Sequence, residues 1–312
     1  MIRQQRYRAA TSAGGICFPL LEHGKAVEST VRTATQRIKN RPAWTHEDDG
    51  EAALRAVVVR DTGPYSARNS SKGALIDEAS RVFRALASGQ SVEKVRDQAL
   101  RGTLLTQRSR ENRERIWTSI QQRYLIPTTP WLTSLLAETS ASGPQSREFL
   151  SLLYLLYALR DRLTFDFVTS VLSAKGHEAR PVISRNEVLD LLKQAAARQP
   201  QIDRWTESTR IKLAGSILTA LRDFGVLDGK QKKTLARPSL PLSTAEALLR
   251  ILTVEGCRGR QVLQDATWRL FLLTEREVAA TLAKLAQKGR IRFEKAGTTV
   301  VLETPAEWEG EP

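Results

Sequence analysis

Basic side chains gather along this chain where they would meet a polyanion. Arg290 and Arg292 lie on an alternating segment, Arg290-Ile-Arg-Phe-Glu294, with Lys295 at the turn that follows. Arg276 and Lys284 sit on the helical stretch before it. A second group comprises Arg210, Lys212, Lys230, Lys232, Lys233 and Arg237. A third, Arg108, Arg113 and Arg115, falls in Arg101–Arg123, where six basic residues face only Glu111 and Glu114. Guanidinium and ammonium groups neutralise phosphates and release their counterions, which is the sequence-independent part of nucleic-acid binding. A single surface Arg is ordinarily a solvated charge, so the reading rests on clustering. Asn and Gln are sparse on these helices, so adenine-specific readout is not indicated.

Little else points to chemistry. His23, His46 and His177 are the only histidines, and none lies near a cysteine or in an HExxH spacing. P-loop, GxGxxG and GxSxG elements are absent from the sequence. Asp77-Glu78 reads as a solvated helix face, and Asp161, between Arg160 and Arg162, as a salt-bridged helix end. No catalytic residue, metal ligand or cofactor is assigned, and the chain is not read as an enzyme.

The net charge is +14, which bears on partners rather than fold and favours nucleic acid. The 312 residues suffice for two modest domains. Cys17 and Cys257 are too few for a disulfide framework, and a cytoplasmic location is expected. The longest apolar run, Phe149–Leu159, falls well short of the ~20 residues of a membrane span and reads as a core helix.

The expected fold is mainly α: a helical N-terminal domain, then winged-helix-like C-terminal structure with small β-hairpin wings. Residues 1–63 lack periodicity and read as a poorly ordered or docking extension. Helical spacing begins near Lys72, with Leu75, Ile76, Val82, Phe83 and Leu86 inward and Gly89 as the stop. Further helices are expected from Ser91 to Gly102, from Ser109 to Leu125 and over Arg147–Leu159. Arg113, one turn before Trp117, is placed to stack on it. The helical domain spans 64–178, closing at Gly176–Pro181. The region 179–312 reads as one winged-helix-like unit or as two, 184–240 and 243–305. Ser184/Glu187, Ser243/Glu246 and Thr274/Glu277 read as capping boxes. Gly289 ends the last helix before the Arg290–Leu302 hairpin, and the acidic tail reads as solvated.

The chain resembles the BrxA family, accessory proteins of BREX bacteriophage defence once labelled as inner-membrane proteins. The resemblance rests on Tyr65-Ser-Ala, Lys72-Gly-Ala-Leu-Ile-Asp-Glu, Gly89-Gln-Ser-Val-Glu-Lys-Val and the Leu104…Arg108…Arg115…Arg123 pattern. Leu-Leu-Tyr-Leu-Leu-Tyr-Ala-Leu up to Leu159 and Leu-Thr-Phe-Asp-Phe up to Phe167 also fit. It implies a mainly helical, non-enzymatic protein that binds double-stranded DNA. It would act with the methyltransferase, phosphatase-like and ATPase components of the system, without a membrane. The rival readings are a winged-helix transcriptional regulator and a protein–protein adaptor without DNA binding.

Overall fold

The computed structural model describes residues 60–70, 73–126 and 129–310. The expectation for residues 1–59 therefore lies outside the described residues. Helix dominates, joined by two small antiparallel sheets.

The first helices follow their local signals. Helix α1 spans Ile76–Ala87. Helix α2, Val92–Arg101, begins where the Ser91 hydroxyl accepts from the Lys94 amide and ends at Gly102, whose φ of 87° suits a residue without Cβ. Helix α3, Arg110–Ile120, is capped by Ser109. It continues through a π-helical turn, Gln121–Leu125. Arg123 and Tyr124, consecutive residues of this turn, are both buried.

Helix α4 is Pro130–Ser140, with Pro in its first turn. Helix α5, Arg147–Leu159, is capped by Ser146 and buried on every side from Ser151 onward. Each Leu so buried contributes about 2 kcal/mol by area removed from water. Helix α6, Arg162–Asp166, is capped by Asp161 and runs on through a π-helical segment to Lys175. Asp161 is not the salt-bridged end read from its neighbours. It is buried, its carboxylate accepts from the amide and hydroxyl of Thr164, and burial raises its pKa.

Beyond Pro181 the chain runs through two stretches of helices and small strands, the first and second units. In the first, strand β1 (Val182–Ile183) leads to helices α7 (Arg185–Ala195) and α8 (Glu207–Asp223), then strands β2 (Leu227–Asp228) and β3 (Lys233–Leu235). The sheet order is β1-β3-β2. In the second, helices α9 (Leu242–Val254), α10 (Arg260–Gln264) and α11 (Glu275–Gln287) precede the hairpin β4 (Arg292–Ala296) and β5 (Thr299–Glu303). Gly297, at φ 58°, opens its two-residue turn.

Two tail and cap readings are corrected. Ser243/Glu246 is not a capping box, because α9 starts at Leu242 behind Pro241 and the Glu246 carboxylate is taken by Arg290. The acidic tail is anchored: helix α12 (Glu307–Gly310) buries Trp308.

One hydrophobic cluster runs from Tyr65 to Trp308 and crosses residue 178. Helix α5 explains this continuity. Tyr154 packs on Phe224 at 5.6 Å and on Phe271 at 5.5 Å, and its hydroxyl donates to Leu270 O. The Ser151 hydroxyl meets that of Thr244 at 2.8 Å.

A strap, residues 60–70, lies across these layers. The Arg60 guanidinium binds Asp265 and Thr267 and sits 4.9 Å from the Phe165 ring centre. The Tyr65 amide donates to Gln199. The strap ends in a 3-10 turn, Arg68–Ser70, packed on α8. Buried Arg123 holds that end, donating to Asn69 Oδ1 at 2.6 and 3.1 Å and to Gly73 O at 2.7 Å. The Tyr124 hydroxyl holds Ala74 O.

Arg123→Met would leave these buried acceptors without donors. The expected loss is about 2–4 kcal/mol, read as a lower urea midpoint at unchanged slope. A midpoint within error of the parent would show that the strap is held by other contacts.

Candidate nucleic-acid interface

The second unit exposes its last helix. Val278, Leu282 and Leu285 of α11 face the core. Arg276, Ala280, Lys284 and Gln287 line the opposite face and are exposed. The Thr274/Glu277 capping box is formed, with the Thr274 amide and hydroxyl both 2.8 Å from Glu277 Oε2. Arg237 reaches the same carboxylate at 2.7 Å and also donates to Leu272 O.

The hairpin is less cationic than its sequence suggests. Arg290 grips Glu246, with Nε 3.0 Å from both carboxylate oxygens, and the pairing raises its pKa. Arg292 bonds Glu294 at 3.1 Å and Glu303 at 3.0 Å, the latter its register partner on β5. Lys295, exposed at the tip, forms no ion pair with the described residues.

In the first unit the long helix α8 is covered. Helix α8 buries Leu213, Ala214, Ile217, Leu218, Ala220 and Leu221 against the core. The strap's final turn packs on it as well. Arg210 is half-buried and donates to Ile202 O, with Asp203 at 3.7 Å. Lys212 is exposed. On the β2–β3 hairpin Lys230 and Lys232 are exposed, whereas Lys233 donates to Lys230 O at 2.9 Å.

Around α3, Arg113 does not stack on Trp117. Its guanidinium closes the α2–α3 loop, donating to the carbonyls of Leu100, Gln107 and Arg108 at 2.9, 2.6 and 3.0 Å. Three carbonyls outcompete a ring face because the loop turns its oxygens toward the charge. Arg108 and Arg115 point to solvent, while neighbouring Arg110 pairs with Glu114.

The sequence-predicted cations thus divide. Arg108, Arg115, Lys212, Lys230, Lys232, Arg276, Lys284 and Lys295 are exposed and form no side-chain hydrogen bond or ion pair among the described residues. Arg113, Arg210, Lys233, Arg290 and Arg292 are engaged by the fold. Exposed Arg185 and Lys288 escaped the sequence reading, Arg185 because it stood inside a capping box and Lys288 because it follows the last helical turn. Among the described residues, no three His, Cys, Asp or Glu side chains could hold a metal ion together, and no helix is long and apolar enough to cross a membrane.

These features define a mainly helical protein with two helix-and-hairpin units and solvent-facing cations. The chain belongs to the BrxA family, whose model matches residues 63–251, and is therefore a protein associated with BREX bacteriophage defence. The match ends within α9, so α11 and the β4–β5 hairpin lie beyond it. A crystal structure of an uncharacterized protein from Magnetospirillum magneticum is similar in fold, with a TM-score of 0.52 and 17% identity. The alignment covers 68% of this chain and 100% of that one. No curated protein matches.

Glu277 carries a pH prediction. The Thr274 backbone amide, then the Arg237 guanidinium, hold its carboxyl at about 2, below the ordinary 4.5. A depressed folded-state pKa contributes stability that is complete above 4.5 and is lost as pH falls toward about 2. Glu277→Gln should flatten the acid limb of the thermal unfolding midpoint across that window. An identical acid limb in parent and variant would remove Glu277 from the acid response.

Proposed function

We propose that this protein is a non-enzymatic, double-stranded-DNA-binding accessory of BREX defence, acting beside the methyltransferase, phosphatase-like protein and ATPase of the system. It grips the phosphate backbone rather than base edges. The observation that carries this reading is the face of α11: Arg276 and Lys284, two turns apart on one exposed stripe and without carboxylate partners among the described residues, next to a hairpin tipped by Lys295.

Both units read as winged helices. The order strand, helix, helix, hairpin, with sheet order β1-β3-β2, supports this for the first, and helices followed by the β4–β5 hairpin for the second. In such a module the second helix of the pair enters the major groove while the hairpin lies along the backbone. The strap covers α8, so the first unit contributes through Lys212 and its hairpin lysines rather than through a groove-reading helix. The second unit keeps α11 open. Arg108 and Arg115 add a further phosphate-facing pair. The +14 charge favours approach to a polyanion.

The test is fluorescence anisotropy with a labelled mixed-sequence duplex at low and physiological salt. Binding should weaken steeply with salt, by roughly 0.9 log units in affinity per log unit of salt for each phosphate neutralised. Arg276→Glu/Lys284→Glu/Lys295→Glu should cost at least about tenfold and shallow the slope, with unfolding midpoint unchanged. A slope and affinity equal to the parent would remove α11 as a contact. Absence of duplex binding at either salt would sink the DNA reading.

A further inference from the structure

A cleft of about 420 Å³ lies between the strap and helix α8, lined by Ser70, Gly73, Arg185, Lys212, Ser216 and Thr219 among others. Its α8 wall is one stripe: Lys212, Gly215, Ser216 and Thr219 recur at helical spacing. Arg185, the first residue of α7, lies across that stripe at Gly215, where an added Cβ would stand 3.5 Å from its Nε. The bare glycine lets the guanidinium lie along the helix backbone. Neither Arg185 nor Lys212 forms an ion pair with any described carboxylate. The acid at the end of α8, Asp223, is taken by Arg222 at 2.7 Å.

Ser70 and Gly73 line the facing side, and Arg123 donates to Asn69, next to Ser70, and to the Gly73 carbonyl. Two cations on separate elements, Arg185 on α7 and Lys212 on α8, line one concave cleft and make it an anion site. A planar guanidinium beside an ammonium suits a tetrahedral, doubly charged oxyanion better than a carboxylate, since it offers several donors to several oxygens.

We propose that this cleft binds a single phosphate group, supplied either by a duplex backbone or by a free phosphorylated small molecule. Where the duplex supplies it, the site deepens the DNA reading. Where a small molecule does, it stands apart from that reading. Lys212 is among the cations legible in the sequence, whereas Arg185, which gives the cleft its second charge, is not.

The experiment follows ³¹P NMR line broadening of inorganic phosphate with wild-type protein, Arg185→Gln/Lys212→Gln, Lys212→Gln alone and, as a control away from the cleft, Arg276→Gln. Unfolding midpoints are recorded for each. Both cleft positions are exposed, so folding should survive, and the single variant keeps the test open if the double variant does not fold. The expected result is broadening in wild type and Arg276→Gln, with apparent affinity lower by on the order of tenfold in the double variant. Adding duplex then separates the sources: displacement of phosphate assigns the site to the DNA backbone, and duplex binding without displacement assigns it to a small phosphorylated molecule. No broadening in the wild type, or equal broadening in all four proteins, overturns the proposal. Duplex anisotropy on the same samples judges the DNA reading separately.

Discussion

The fold turns on a buried guanidinium. Arg123 is 5% exposed and sits 5.2 Å from the centre of the Tyr157 ring. Arginine stays protonated in proteins, so such a group can be buried only where acceptors and a ring face replace water. Asn69 and the Gly73 carbonyl are those acceptors. The charge therefore dictates the path of the chain before α1. That path lays the Arg68–Ser70 turn on α8, which covers the helix and leaves the cleft beside it. Arg123 lies in the π-helical turn that continues α3, so one side chain of that turn is tied to a surface feature contributed by other elements.

The strap extends this logic to its other end. Arg60 lies among Asp265, Thr267 and Glu255, the last at 3.5 Å, while burial raises the Glu255 pKa despite that neighbour. Arg162 donates to the Thr62 and Gly63 carbonyls, and Gln201 to the Tyr65 carbonyl. Eleven residues of irregular chain thus bond to α6, to the turn before α8 and to the turn after α10. Each bond alone is worth about 1 kcal/mol, but together they oppose separation of elements whose apolar contacts run mainly through α5.

What was legible in the sequence follows from what is local. Helices α2, α3, α5 and α7 announce themselves through Ser caps, glycine stops and apolar spacing, signals read within about one turn. Two of the three capping boxes are formed for the same reason. The third failed because Ser243/Glu246 matches the pattern while Pro241 starts the helix earlier, freeing Glu246 for an arginine 44 residues away. The strap has no period to read, since the bonds that tie it down cross 54 residues at Asn69, 100 at Thr62, 134 at Tyr65 and 205 at Arg60. The cationic clusters were legible as composition. Their division into solvent-facing and engaged groups was not: Arg290 pairs with a carboxylate 44 residues away, and the nearer partners of Arg113, Arg210, Lys233 and Arg292 are brought in reach by loop and strand geometry rather than by residue type.

That division changes the balance of the distal unit. Arg290, Arg292 and Lys295 read as the cations of a wing, yet Glu294 and Glu303 share the hairpin, and Glu246 on α9 neutralises Arg290. The two arginines act mainly in geometry: one ties the hairpin base to α9, and the other bridges the strands at a register pair. Exposed pairs of this kind contribute at most about 1 kcal/mol each, so they orient the hairpin more than they stabilise the fold. Neighbouring carboxylates also weaken the local field by which such arginines would attract a phosphate. On the α11 stripe neither Arg276 nor Lys284 forms an ion pair among the described residues; of the helix's two acids, Glu275 and Glu277, the latter is held at the helix start by Thr274 and Arg237. On the proposed reading, then, attraction to the backbone comes chiefly from the helix face, while the hairpin supplies a fixed edge with one free lysine at its tip. A helix face presents its charges on a rigid rod at 1.5 Å rise per residue, so their spacing is set before binding and little conformational entropy is lost on contact.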